Sequence, residues 1–284
     1  MAGTGTAPPG GALVTGAARG MGLAIARVLH RRGYTVQLTD VDEETARSAA
    51  AGLGEPALAA RLDVRDSRAC KEAAAELERR AGTLDVWVNN AGLLIPGEPW
   101  AQPEEAIRLM LEVNAVGTIN GTLAALGRMR PRGTGHVINL VSMAGIVASP
   151  GETVYGASKH AAIAFSLGTL ADLRLAGQRG IHISCVCPDG VWTNMLYDKL
   201  EDRSAAASFS GTMLLPEQVA ARVERLLDRP KPVVTMPRRR GALLRMADVW
   251  PRIGLRSAGP TLARGRRRQK ALARKVESGA WPPR

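Results

Sequence analysis

The sequence predicts an α/β fold, doubly wound, with a mostly parallel sheet of seven strands and helices on both faces. Three observations carry this. Short apolar runs alternate with longer helical patterns from residue 12 to about 237, as a parallel sheet covered on both faces requires. A glycine-rich turn separates the first apolar run from the first helical pattern, the place where such folds bind phosphate. The 284 residues, 45% of them hydrophobic, are enough for one large domain with a substantial core.

The elements follow in order. Residues 11–15 form a short apolar strand, and 22–32 carry Leu23, Ala26 and Val28 at helical spacing until Gly33 ends the pattern. Residues 35–39, 57–62 and 86–88 read as the second, third and fourth strands, each followed by a helical pattern. A long helix from about residue 103 to 126 precedes a strand at 136–141, and a second from about 155 to 176 precedes a strand at 181–186. Residues 194–216 break the rhythm with Ser, Ala and isolated apolar residues, the composition of a loop or lid holding a short helix. A helix at 217–228 and an edge strand at 233–235 close the alternation. Domain limits follow: a flexible N-terminus over 1–11, a catalytic unit over 12–237 and a basic extension over 238–284.

The formal charge of +12 belongs to one end. Residues 231–284 hold 15 Lys and Arg against 2 Asp and Glu, and the remaining 230 residues carry a net −1. The charge therefore says nothing about the body's chemistry, and the tail is an electrostatic partner site or a solvated terminus. Cys70, Cys185 and Cys187 offer no disulfide framework, because two positions apart on one strand is poor bridging geometry. A reducing, cytoplasmic setting fits. The first eleven residues lack the basic start and apolar run of a signal peptide. No stretch reads as the ~18–20 apolar residues of a membrane span. No metal ion is expected to take part.

The turn Thr15-Gly-Ala-Ala-Arg-Gly-Met-Gly22 presents Gly16, Arg19, Gly20, Met21 and Gly22 where bare backbone and helix N–H groups can cradle a pyrophosphate. Asp40 ends the second strand, where a carboxylate accepts hydrogen bonds from the adenosine ribose and repels a 2′-phosphate, which favours NAD over NADP. Asp40 could equally cap the next helix, with Asp42 its competitor, and Arg19 could meet a 2′-phosphate.

With Asn89-Asn-Ala-Gly92, Asn114, Ser142, Tyr155-Gly-Ala-Ser-Lys159 and Pro188 through Thr193 added in order, residues 12 to about 237 resemble the short-chain dehydrogenase/reductase family. The resemblance implies a Rossmann-type fold and an oxidoreductase. Tyr155 and Lys159 are four apart at the start of a helical pattern and share a face. A tyrosine with a pKa near ~10 is a poor base at neutral pH, and a nearby ammonium favours its phenolate. The Ser142 hydroxyl can polarise the substrate oxygen.

The resemblance further implies a water-mediated link from Asn114 to Lys159, although an Asn inside a helix can also simply bend it. It implies cofactor contacts from Asn90, Ala91 and Gly92, with Asn90 preferred to Asn89, and adenine contacts from Asp63 and Val64. Pro188, Val191 and Thr193 match positions over the nicotinamide. Asp189 stands where the family has Gly and reads as a turn cap or a substrate contact. Trp192 and Met195 are expected at the substrate with Ser142 and Tyr155, and Trp100, Leu196, Met213, Leu214 and Leu215 in segments framing the cleft. A bulky apolar alcohol or ketone would suit them.

The family's frequent Val-Asp-Gly-Gly ending is absent, which puts its tetramer in doubt and leaves a dimer through the two long helices. A homodimer or homotetramer is expected. The tail, with Arg238–Arg240, Leu243, Leu244, Met246, Val249, Trp250 and then Arg266–Arg268, admits two readings. It lies on an anionic membrane, or it docks its apolar residues on the body and leaves its arginines solvated. The competing function is a catalytically silent dinucleotide sensor or scaffold acting through that tail. A nucleic-acid role for the tail has no recognised motif behind it, so no nucleic-acid partner is expected.

Overall fold

A computed structural model describes residues 10–280. Residues 1–9 of the expected flexible arm lie outside the described residues, while Gly10 and Gly11 are buried. The chain runs β1 (Gly11–Thr15), α1 (Gly20–Arg31), β2 (Thr35–Asp40), α2 (Glu43–Ala51), β3 (Leu58–Arg61), α3 (Ser67–Ala81) and β4 (Leu84–Asn89). It continues through α4 (Glu104–Leu111), a π-helical turn (Glu112–Val116), α5 (Gly117–Met129), β5 (Thr134–Leu140), α6 (Thr153–Leu175) and β6 (Gly180–Pro188). The last elements are α7 (Asn194–Tyr197), a 3₁₀ segment (Arg203–Phe209), α8 (Pro216–Asp228), β7 (Val233–Met236), α9 (Arg238–Val249) and α10 (Pro251–Glu277).

All seven strands pair in parallel, in the order β3-β2-β1-β4-β5-β6-β7. Alternation along the strands feeds two cores. Ala12 and Val14 pack with Ile25 and Leu29 of α1 and Val223 and Leu226 of α8. Leu13 and Trp87 face the other way, onto Leu77 of α3, Met129 of α5 and Leu173 of α6. The strand order reverses between β1 and β4, and in such sheets the ligand crevice opens beyond the carboxyl ends of the strands at that point.

The long helix predicted to start at residue 103 contains the π-helical turn, with Asn114 fully buried in it. The stretch Glu104–Arg132 is long and apolar enough to cross a membrane, contrary to the expectation that no stretch would be, but 56% of its apolar window is buried in the fold. Its composition therefore serves the core.

Neither reading of the tail describes it fully. The α9 helix leans on β7, with Gly241 leaving no room for a Cβ beside Thr235. The α10 helix crosses the lid: a Cβ at Gly265 would overlap the Ala206 carbonyl, and buried Gln269 donates its amide hydrogens to the carbonyls of Lys199 (2.7 Å) and Asp202 (2.8 Å). Arg268 donates to the carbonyls of Ser210 and Gly211. Polar groups thus do much of the docking, while Leu243, Met246, Val249 and Trp250 stay exposed.

Candidate active site

The cleft, about 860 Å³ in volume, is lined by the β1–α1 turn, the ends of β2, β4, β5 and β6, the lid and the tail. Gly16 (φ +62°) and Gly20 (φ +56°) take the left-handed backbone that the turn requires. A Cβ on Gly16 would sit 2.8 Å from Ala91 Cα, so the turn lies directly on the strand end after β4. Thr15 Oγ1 accepts from the Asn90 and Ala91 amides (both 3.0 Å), and Asn90 Nδ2 donates to the Thr15 (3.0 Å) and Gly16 (2.8 Å) carbonyls. Asn90 is therefore first of all the brace of the glycine turn. Its Oδ1 is buried without a partner among the described residues. That orphaned acceptor, the bare cradle and an α1 N-terminus with no side-chain cap fit a dinucleotide. Arg19, Met21, Gly22 and Gly92 line the same cleft.

Asp40 also lines the cleft, and its carboxylate accepts from the Ala18 (3.2 Å) and Asp42 (3.2 Å) amides. Asp42 is the cap of α2, bonded to the Thr45 amide (3.1 Å) and hydroxyl (2.6 Å), bonds that pull its pKa below the usual carboxylate range. Asp42 is thus occupied as the cap of α2, and of the two only Asp40 lines the cleft. Asp63 and Val64 line the cleft, but the Asp63 carboxylate is held by Arg65 at 2.6 Å, a partner the sequence reading did not foresee.

At the chemical end, Ser142 follows β5 and accepts from the Ala144 amide at 3.1 Å, while α6 carries Tyr155 and Lys159, both buried. Tyr155, Ser142 and Lys159 line the same cleft, and Lys159 Nζ lies 5.7 Å from the centre of the Tyr155 ring. The expectation that Lys159 would lower the Tyr155 pKa is not met. Burial drives it upward, the Ser142 hydroxyl only partly opposes this, and burial pushes Lys159 down to about 8. Loss of water around the charged form is the largest cause at both residues. Burial therefore favours the protonated phenol.

Asn114 does not line the cleft. It grips the Leu93 backbone in both directions (2.9 Å each) and donates to Ser158 Oγ at 3.1 Å, which donates to the Tyr155 carbonyl at 2.6 Å. Its route to α6 thus runs through Ser158, and Lys159 Nζ bonds the Leu140 carbonyl at 3.2 Å. Asn89 stays in the sheet, joined to Trp87, Thr122 and Asn139.

Pro188, Val191, Thr193 and Met195 line the cleft as expected, and Trp192 does not: its ring packs edge-on against Tyr197 at 5.7 Å. Trp100 is 83% exposed, and Leu214 is buried in the core. These large side chains were expected near the cleft from the segments they fall in, which does not say which way a loop residue faces. Asp189 lines the cleft and is more than a turn cap. Its buried carboxylate accepts from the Thr212 amide (2.9 Å) and pairs with Arg240 Nε (2.8 Å), joining β6, lid and tail. Burial raises its pKa and Arg240 pulls it back.

Glu152, missed from sequence, lines the cleft and accepts from the Ser208 amide of the lid at 3.0 Å. It is 2% exposed, and burial pushes its pKa from 4.5 up to about 7. Between those values the folded chain holds a proton that the unfolded chain has lost, so stability falls as pH rises through that window. Melting temperatures of the wild type should decline between pH 4.5 and 7 relative to Glu152→Gln. Parallel profiles would contradict the assignment.

Comparison with known proteins adds the family. Residues 11–204 match the family described as short chain dehydrogenase. Oxidoreductase UcpA of Salmonella typhimurium is 35% identical over 187 residues, covering 65% of this chain and 70% of that protein. Carbonyl reductase family member 4 of Xenopus tropicalis is 33% identical over 217 residues, 76% of this chain and 90% of that one. The 3-beta-hydroxysteroid dehydrogenase of Comamonas testosteroni is 33% identical over 189 residues, 66% and 74% respectively. The fold is shared with a short chain dehydrogenase/reductase from Burkholderia phymatum solved in complex with NAD, at TM-score 0.72 and 23% identity over 80% of this chain and 89% of that one. A family match over two thirds of the chain thus joins a sheet and a side-chain set reached independently of it, and the protein belongs to the short-chain dehydrogenase/reductase family of oxidoreductases.

Proposed function

We propose that the protein uses NAD(H) to interconvert a secondary alcohol and a ketone on a bulky apolar substrate. The observation that carries this is the meeting of Tyr155, Ser142 and Lys159 at the wall of one cleft. A nicotinamide dinucleotide, when bound, supplies or accepts the hydride. Gly16, Gly20 and Gly22 leave its phosphates room against the backbone, and Asp40 receives its ribose. Pro188, Val191 and Thr193 wall the nicotinamide end.

Tyr155 Oη gives its proton to the carbonyl oxygen in reduction and recovers it in oxidation, while Ser142 Oγ holds that oxygen in place. Lys159 supplies positive charge beneath the phenol as the proton leaves. The apolar lining, with Leu94, Leu109 and Val113 beside Met195, supports an apolar substrate. So does the likeness to a steroid dehydrogenase. The complete side-chain set weighs against the silent-scaffold reading.

Leu123 of α5 and Leu175 of α6, 50% and 87% exposed, support a homodimer or homotetramer through the long helices. Three buried free cysteines support a reducing, cytoplasmic setting. For the tail we propose contact with an anionic membrane, developed below.

The test is a panel of secondary alcohols, short polar to large apolar, with NAD and NADP in parallel. NAD and the large apolar members should give the higher kcat/KM, and Asp40→Ser should narrow the cofactor gap by removing the group that repels a 2′-phosphate. A wild-type preference for NADP would transfer the deciding role to Arg19.

A further inference from the structure

We propose that the outer face of the α9–α10 turn docks on an anionic lipid bilayer, and that apolar substrate passes from the bilayer into the adjoining cleft. The second half rests on the apolar-substrate reading above; the first does not. Leu243, Met246, Val249, Trp250, Ile253 and Leu255 are 54–69% exposed within thirteen consecutive residues. Leu243, Met246 and Val249 recur every three residues and share a side of α9. Such a concentration of exposed apolar surface marks a site of contact rather than ordinary surface composition.

The same turn walls the cleft. Leu244, Ala247 and Pro251 line it, and Leu255 lines it while remaining exposed outside, so apolar side chains run from the outer face to the cavity holding Tyr155. Docking on the body consumes Arg240 and Arg268, whereas Arg239, Arg245, Arg252 and Arg256 flank the apolar residues and are exposed.

Charge selects the occupant. A second copy on this face would set two segments of net +13 against each other. A nucleic acid would meet the arginines but leave the apolar residues against phosphates. An anionic bilayer satisfies both, with apolar side chains entering the acyl boundary by about 5–10 Å, arginines among the headgroups and Trp250 at the interface.

The experiment is co-sedimentation of the full-length protein with phosphatidylcholine vesicles, with and without phosphatidylglycerol. Anionic vesicles should bind at low salt, and binding should weaken at least about tenfold in 1 M salt, where charges are screened beyond ~3 Å. Met246→Glu/Trp250→Glu/Ile253→Glu should abolish binding yet keep the melting temperature and turnover of a water-soluble alcohol. Arg245→Glu/Arg252→Glu should weaken binding to anionic vesicles alone. Absent binding at low salt, equal binding to neutral vesicles, or full binding by the triple variant would overturn the proposal. So would conversion of a dimer to a monomer by the triple variant, which would make the face a self-interface. A protein that sediments with vesicles but turns over no alcohol would instead refute the activity reading and leave the surface standing.

Discussion

Tyr155→Phe is expected to lower turnover by at least about 10²–10⁴-fold, the range for removing a positioned acid or base. The substitution deletes one hydroxyl from a ring that packs in the cluster with Leu94, Met110 and Phe209, so the site keeps its shape. Dinucleotide affinity, measured by quenching of protein fluorescence, should change little because the glycine turn, Asn90 and Asp40 are untouched. The protonated phenol also gives a pH signature: between pH 6 and 8 the reductive kcat should not fall through loss of the Tyr155 proton, since burial holds that pKa above the ordinary phenol value. Lys159, at about 8, is the group whose discharge should appear at the alkaline edge. Near-normal turnover by the phenylalanine variant with every accepted substrate would remove Tyr155 from the mechanism.

Arg240→Ala is expected to destabilise the protein by about 2–4 kcal/mol in urea titration, toward the lower part of what breaking a buried ion pair costs. Two observations moderate the figure: the Arg240 side chain is 26% exposed, and its Nε meets Asp189 at 2.8 Å without the alignment of a hydrogen bond. What remains is a carboxylate 5% exposed that has lost its paired cation and keeps only the weaker field of Arg268. Asp189→Asn/Arg240→Ala should recover much of the loss, because the amide still faces the Thr212 N–H without a charge to bury. Without Arg240 the Asp189 pKa should climb further, so this variant should lose stability more steeply than wild type as pH rises from the acid side. A loss under about 0.5 kcal/mol, as for an exposed pair, would show that the contact does not anchor the tail.

Much of this architecture was legible because it is local. Strand and helix periods placed all seven strands within about two residues, and the glycine turn, Tyr155, Lys159, Ser142 and Asp40 all meet at one cleft. Three kinds of information were not local. The π-helical turn shifts the phase of the helix inside an unbroken apolar pattern, so the burial of Asn114 and its hold on Leu93 and Ser158 could not be read from the spacing. Side-chain direction in a loop has no period, which is why Trp192 and Trp100 were placed in a cleft they do not line. The third was pairing over long separations. Asp189 and Arg240 are fifty-one positions apart, and nothing near either says that the Asp in place of a family glycine and the basic tail are parts of one joint. Gly211 records that joint in retrospect, since any side chain there would collide with the Asp189 carboxylate.

The bonds from Gln269 to Lys199 and Asp202 reach back 70 and 67 residues, across the last helix and strand of the alternating pattern, to the lid. During synthesis the chain emerges from its N-terminus, so β1 to β5 and the glycine turn can assemble while the tail is still being made. The nascent protein then acquires its dinucleotide pocket well before the wall that closes over a second ligand. Ribosome-bound chains ending near residue 237 would hold the first without the second, because the segment that completes the enclosure comes after it.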